Sequence, residues 1–225
     1  MAQMHFKVDG NDKAFDIQRL VIAGWTGRNH EAVEHHIKEL EAIGVKRPRT
    51  GPCFYRRSAN LLTSDKGLEM VGTDSSGEAE FVLISAPDGL YVGVGSDHTD
   101  RKVEAYGVTV SKQMCAKPVS SELWRFADVE AHWDQLMLRS YVTRAGKRSL
   151  YQEGPVSKML APRDLIAKFP DSPGKLPVGT AMYCGTLVVL GEIGGGERFE
   201  VELVDPVKNR TLRHGYDCDS LAIAD

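Results

Sequence analysis

Long hydrophobic runs are missing from this chain. No stretch approaches the roughly 20 apolar residues needed to span a bilayer. Its first residues, Met1-Ala2-Gln3-Met4-His5-Phe6-Lys7, lack the apolar core of a secretory leader. Cysteine is sparse: Cys53, Cys115, Cys184 and Cys218 are far apart and form no Cys-x-x-Cys pair. That spacing argues against a disulfide framework or a cysteine zinc site and suits reduced thiols. An excess of one charge is missing too, with 28 Lys and Arg against 31 Asp and Glu and a net charge of −3. There is no basic footprint for nucleic acid and no polybasic patch for a membrane surface. Repeats, linkers and low-complexity tracts are also lacking. Gly194-Gly195-Gly196 is no phosphate loop, because no Lys-Ser/Thr follows it and Glu197 would repel phosphate. These absences predict a cytoplasmic protein with neither nucleic acid nor membrane as partner.

What is present is enough for one sizeable core: 225 residues, 42% of them hydrophobic, with 22 Gly and 10 Pro spread throughout. Phe6 to Asp16 predicts a β-hairpin turning at Asp9-Gly10-Asn11-Asp12. Leu20 to Gly24 is a short apolar run. From His30 to Ile43 the spacing of Val33, Ile37, Leu40 and Ile43 predicts a helix that stops at Gly44. Leu68 to Val94 reads as strands broken at Asp74-Ser75-Ser76-Gly77 and Pro87-Asp88-Gly89. Met137 to Tyr151 predicts a second hairpin turning at Arg144-Ala145-Gly146-Lys147, and Ser157 to Phe169 a short helix interrupted by Pro162. Phe199, Val201 and Leu203 alternate with Glu200 and Glu202, a half-buried strand. The sum is a β-rich α+β chain read as a single domain over 1–225, with a hairpin and lid helix in 1–50 and a β-roll core in 51–225.

Five segments carry candidate chemistry. In Ser75-Ser76-Gly77-Glu78-Ala79-Glu80-Phe81, the i,i+2 spacing on a strand projects both carboxylates to one face. Like charges so close repel, and a hard divalent cation between them would relieve the conflict; the alternative is a solvated strand edge. Gly95-Ser96-Asp97-His98-Thr99-Asp100-Arg101 follows the strand Leu90 to Val94, so a hairpin could return Asp97 or Asp100 beside the glutamates. The same Ser, Asp and Thr residues would equally suit a capped turn. In the helix from Asn29 to Glu39, His36 and Glu39 share a face at i,i+3, a pairing that can orient an imidazole as general base. His30 and His35, five apart, do not fit zinc chelation on one helix face. Lys112, at the end of the apolar alternating run Thr109-Val110-Ser111, is placed to pair with the acids or bind a substrate anion. Gly185-Thr186 ends an apolar stretch where a backbone N–H and a hydroxyl could hold a carboxylate.

In this order, the segments resemble the fumarylacetoacetate hydrolase family, in particular its small acylpyruvase-type members. His36-Ile37-Lys38-Glu39 is similar to the family's His-x-x-Glu dyad in a lid helix, and Glu78-Ala79-Glu80 to its Glu-x-Glu metal pair. Tyr91-Val92-Gly93-Val94-Gly95 leads to Asp97 as the family's Tyr-x-x-Gly-Tyr strand leads to a metal Asp, with Thr99, Arg101 and Lys112 beyond. Asp97 is preferred to Asp100 because Thr99 and Arg101 then fall in the family's register. Tyr151-Gln152-Glu153-Gly154, Ser157-Lys158-Met159 and Gly185-Thr186 resemble its Gln-x-Gly segment, Ser-x-Met turn and Thr-Gly-Thr loop. The match departs in a short gap between Glu80 and Asp97 and in Gln113-Met114-Cys115 after the lysine, which marks a divergent branch.

The resemblance implies a mixed β-roll or sandwich with short flanking helices, usually a homodimer. It implies Mg²⁺ or Mn²⁺ on Glu78, Glu80 and Asp97, catalysis by His36, Glu39 and Lys112, and substrate contacts from Arg101, Thr99, Gly185 and Thr186. The implied reaction is C–C hydrolysis of a small 2-oxo or 1,3-dicarbonyl acid. Lyase chemistry of the same family (decarboxylation, hydration or isomerisation) is the alternative, and a non-catalytic binding module a third.

Overall fold

A computed structural model of the chain describes residues 2–29, 31, 33, 34, 37, 38 and 50–224. The strands in chain order are β1 (Ala2–Val8), β2 (Asn11–Ile17), β3 (Arg19–Gly24), β4 (Cys53–Arg57), β5 (Leu62–Thr63), β6 (Gly67–Val71), β7 (Ser75–Ser76), β8 (Ala79–Ala86) and β9 (Gly89–Ser96). They continue with β10 (Thr99–Asp100), β11 (Lys117–Pro118), β12 (Glu122–Arg125), β13 (Met137–Arg144), β14 (Lys147–Pro155), β15 (Thr180–Thr186), β16 (Arg198–Asp205) and β17 (Arg210–Leu221). Among the fully described helices are α1 (Arg101–Tyr106), α2 (Val108–Met114) and α3 (Pro162–Ala167). An eight-stranded sheet runs β2-β1-β12-β9-β8-β15-β3-β4, and a five-stranded sheet runs β14-β13-β16-β17-β6. The β-rich α+β expectation is met, with the helices small and peripheral. Among the described residues no helix is long and apolar enough to cross a membrane.

The core follows from the strand patterns. Strand β8 is buried along its whole length, because both faces of the large sheet are covered. Phe81 and Leu83 point to a cluster shared with Val201, Leu203 and Leu212 of the second sheet, and Val82 and Ile84 point to the opposite cluster with Phe6, Ile17 and Leu20. The second sheet keeps one face wet: β16 alternates between buried and half-exposed residues, with Phe199, Val201 and Leu203 inward as the period-2 pattern required.

The predicted hairpins form with the turns assigned to them. Asp9-Gly10 and Ala145-Gly146 join their strands with positive φ at both residues, the geometry that matches strand twist in a two-residue turn. Two expectations are corrected. Pro162 does not interrupt a helix but begins one, since at the first helical position its missing N–H costs nothing. Lys112 does not end a strand: the alternating residues around it form helix α2, separated from α1 by Gly107. The β-branched residues of that segment gave a strand-like pattern that tertiary packing overrides. Of the predicted lid helix, Glu31, Val33, Glu34, Ile37 and Lys38 are helical. His36 and Glu39 lie outside the described residues.

Candidate metal centre

The antiparallel pairing of β8 with β9 sets Ala79 opposite Ser96 and Glu80 opposite Gly95, so the hairpin returns Asp97 beside the two glutamates. One carboxylate oxygen from each of Glu78, Glu80 and Asp97 lies within 4.8 Å of the others. Glu78 just precedes β8 and its N–H donates to Ser96 Oγ at 3.0 Å, while Asp97 N–H donates to the Glu78 carbonyl at 2.9 Å. These bonds tie the two carboxylate-bearing segments together. Asp100 takes no part: its Oδ1 accepts from Val103 N–H at 2.8 Å as the N-cap of α1. The two readings of this segment fall on different aspartates: Asp97 converges with the glutamates, and Asp100 caps α1.

Cations are shared unevenly among the acids. Lys112 Nζ donates to Glu78 Oε2 at 3.3 Å and forms a short bond to Asp97 Oδ2. Arg101 Nη1 donates to Glu78 Oε1 at 2.9 Å and to Glu104 Oε2 at 3.0 Å, and its Nε donates to Ser76 Oγ. Lys117, fully buried, stands 3.2 Å from Asp97 Oδ1 and donates to the His98 carbonyl. That oxygen of Asp97 makes no well-directed hydrogen bond, so the Lys117 contact is an ion pair by proximity alone. Glu80 is buried and has, among the described residues, no ion pair. Its one bond is from Gly185 N–H to Oε2 at 2.7 Å.

The electrostatics follow this distribution. Burial alone would raise the Glu78 carboxyl, but Arg101 and Lys112 outweigh it and hold it at about 2. Burial raises Glu80 well above the usual carboxylate range, and repulsion from Asp97 and Glu78 adds to the rise. Burial opposes the charge on Lys112, yet Asp97, Glu78 and Glu104 hold it firmly protonated. Burial lowers Lys117 despite the attraction of Asp97.

Glycine is required behind Glu80. Gly185 has φ +98°, and a Cβ there would fall 1.8 Å from Thr26 Oγ1. The ladder between β15 and β8 shifts register between Tyr183 and Thr186, and this irregularity aims the Gly185 N–H at Glu80. Thr186 Oγ1 donates to the Ala79 carbonyl at 2.7 Å and accepts from Gln152 Nε2 at 2.8 Å. Gln152 also accepts from Ala79 N–H and Ser140 Oγ through Oε1, so it braces the start of β8 from the second sheet.

The glutamates floor a cavity of about 1120 Å³ that Arg101, Glu104, Lys112, Gln152, Gly185 and Thr186 also line. Asp97, wholly buried, sits behind them. Trp25, Val108, Leu187 and Val189 supply apolar wall. Thr99 does not line the cavity, and its hydroxyl donates to the Asp97 carbonyl at 2.8 Å, so it steadies the loop instead of facing a ligand. Gly185 and Thr186 do line it, with the Gly185 N–H and the Thr186 hydroxyl proton already engaged by the protein.

Residues 23–216 match the family described as protein of unknown function DUF2848. The chain belongs to this family. No curated protein matches this DUF2848 chain in sequence. Solved structures do match its fold. One is a yeast fumarylacetoacetate hydrolase family protein, 19% identical over 91% of this chain and 94% of that one, with a TM-score of 0.64. Another is a provisional fumarylacetoacetate isomerase/hydrolase from Oleispira antarctica, 17% identical over 99% and 100% of the two chains, TM-score 0.67. A third is 2-keto-3-deoxyarabinonate dehydratase, 16% identical over 97% and 79%, TM-score 0.63. The DUF2848 chain therefore has the fold that its sequence resemblance implied, that of the fumarylacetoacetate hydrolase family.

Sequence reasoning missed Lys117 and Glu104 of this DUF2848 site. A lysine before a proline carries no local sign of burial. Glu104 was legible only once Arg101 was known to open a helix, because i,i+3 then places the two side by side.

Proposed function

We propose that the chain is a divalent-cation-dependent enzyme that hydrolyses a C–C bond in a small 2-oxo or 1,3-dicarbonyl acid. One observation carries the reading: three carboxylates converge, and the buried Glu80 among them has no cation of its own among the described residues. An all-oxygen donor set suits a hard cation, Mg²⁺ or Mn²⁺, with Glu78, Glu80 and Asp97 as the residues that would hold it. When bound, such an ion supplies Lewis-acid polarisation of a 2-oxo carboxylate.

The chain's own groups account for the rest. Lys112 keeps its proton under the pull of three carboxylates, so a fixed positive charge borders the place where substrate charge develops. Arg101 offers a second, anchored between Glu78 and Glu104. Gly185, Thr186 and Gln152 hold Glu80 and the start of β8 in place. The hydrolytic water is assigned to His36, oriented by Glu39, on the strength of their His-x-x-Glu spacing. A homodimer is proposed as the assembly, to be checked by sedimentation.

A second reading, a lyase acting on the same class of acid, is supported by the likeness in fold to 2-keto-3-deoxyarabinonate dehydratase. A panel of acylpyruvates, oxaloacetate and 3-deoxy-2-oxo acids, assayed with Mg²⁺, Mn²⁺ or EDTA, separates the two. Acylpyruvate cleavage lost with EDTA and in His36→Ala supports hydrolysis. Decarboxylation or dehydration that survives His36→Ala, with acylpyruvates untouched, replaces it by the lyase. No turnover of any 2-oxo acid, together with no Mg²⁺ or Mn²⁺ binding in calorimetry, sinks both.

A further inference from the structure

Helix α2 has two working faces. Lys112 leaves one of them toward the acidic cluster. From the other, the exposed Thr109, Val110, Gln113 and Met114 line with Arg57 a second, smaller cavity of about 270 Å³ that is open to solvent. Arg57 ends β4 and is 8% exposed, which makes it one of the few buried cations in the molecule. Lys112 and Lys117 each have a carboxylate, but Arg57 has none within ion-pair distance among the described residues. One Nη1 bond goes to the Arg56 carbonyl, and Nε is buried without a partner. The Tyr55 ring lies 5.6 Å from the guanidinium carbon. Asp97 attracts it from a distance, yet both Asp97 oxygens already face lysines. A buried cation without a counter-charge is costly unless something supplies one.

We propose that this cavity binds a small oxyanion, a carboxylate or a phosphate group, with Arg57 as the cation that receives it. The planar guanidinium suits either by parallel hydrogen bonds. Thr109 brings a hydroxyl, and Gln113, whose Oε1 accepts from Ser58 N–H at 3.2 Å, keeps its NH₂ for donation. The site is separate from the acidic cavity and does not depend on the reaction proposed there.

The test is a titration of the full chain with inorganic phosphate and, separately, acetate at constant ionic strength, followed by the Arg57 Nε–Hε NMR signal. A saturable shift with either anion is expected, and which anion saturates identifies the group. Thr109→Glu, which places a carboxylate in the cavity while keeping Arg57, should weaken the response at least about tenfold. Arg57→Met, monitored through the Thr109 and Gln113 backbone signals, should abolish it. The proposal is overturned by no saturable shift with either anion, by an undiminished response in Thr109→Glu, or by a dimer in which a partner side chain fills the cavity.

Discussion

The outer face of the five-stranded sheet and the floor of the main cavity are both built from charged residues, on opposite principles. On the sheet, Arg139 pairs with Glu153, Arg198 with Asp217 and Arg213 with Glu202 across neighbouring strands, and Arg148 reaches over β13 to Glu200, one cation to one anion each time. Water screens every pair, so the face is balanced and each pair contributes little. On and behind the cavity floor four carboxyl groups, Glu78, Glu80, Asp97 and Glu104, are set among Arg101, Lys112 and Lys117. The anion left over is Glu80, among the most buried. Exposed charges can be matched locally, whereas a buried surplus of one sign marks a place shaped for something further.

That contrast can be broken at several points. The largest effect is expected from Glu80→Gln. It should lower Mg²⁺ or Mn²⁺ affinity at least about 100-fold in calorimetry, more than loss of an outer contact to a metal ligand costs. The same change removes a carboxyl whose ionisation the fold opposes, so denaturant unfolding without metal should show an unchanged or higher midpoint. Full retained affinity would end the assignment of Glu80 as a ligand. Lys112→Met comes next: two buried carboxylates lose a shared cation, which should destabilise the chain by about 3–5 kcal/mol in urea unfolding. A loss under about 1 kcal/mol would mean that solvent already screens this floor as it does the sheet.

Asp100→Ala should cost about 1 kcal/mol, the loss of one helix cap, while cation affinity stays at the parent value. A drop in affinity matching that of Glu80→Gln would move the third ligand from Asp97 to Asp100. The smallest effect belongs to Arg139→Ala on the sheet face, at most about 1 kcal/mol by the same unfolding measurement and with no change in cation binding. A larger loss would show that the sheet's pairs are structural after all, and that the two regions differ less than their exposure suggests.

Much of this was legible along the chain because its causes are local. The i,i+2 spacing of Glu78 and Glu80, the two-residue turns at Asp9-Gly10 and Ala145-Gly146, and the alternation in Phe199 to Leu203 follow from backbone geometry and need no partner to be seen. Asp97 was half legible: the hairpin that returns it was visible, while only the tertiary structure set Asp97 beside the glutamates and Asp100 on a helix cap. Lys112 was selected for the right neighbourhood on the wrong element. Its β-branched neighbours alternate like a strand, and only packing against the cluster makes them helical. Lys117 left no trace, because its burial depends on strands distant in sequence.

By itself, then, the sequence determined the strand-rich architecture, the hairpin returning Asp97 toward Glu78 and Glu80, and the resemblance to the fumarylacetoacetate hydrolase fold. Periodicity and turn chemistry act over a few residues and leave their mark there. Tertiary structure alone decided how charge is distributed among those acids. Among the described residues it gave Glu78 two cations, Asp97 two lysines and Glu80 only the N–H of a kinked glycine, and it left Arg57 buried without a carboxylate. Desolvation and pairing depend on which distant segments meet, and no spacing along the chain encodes that.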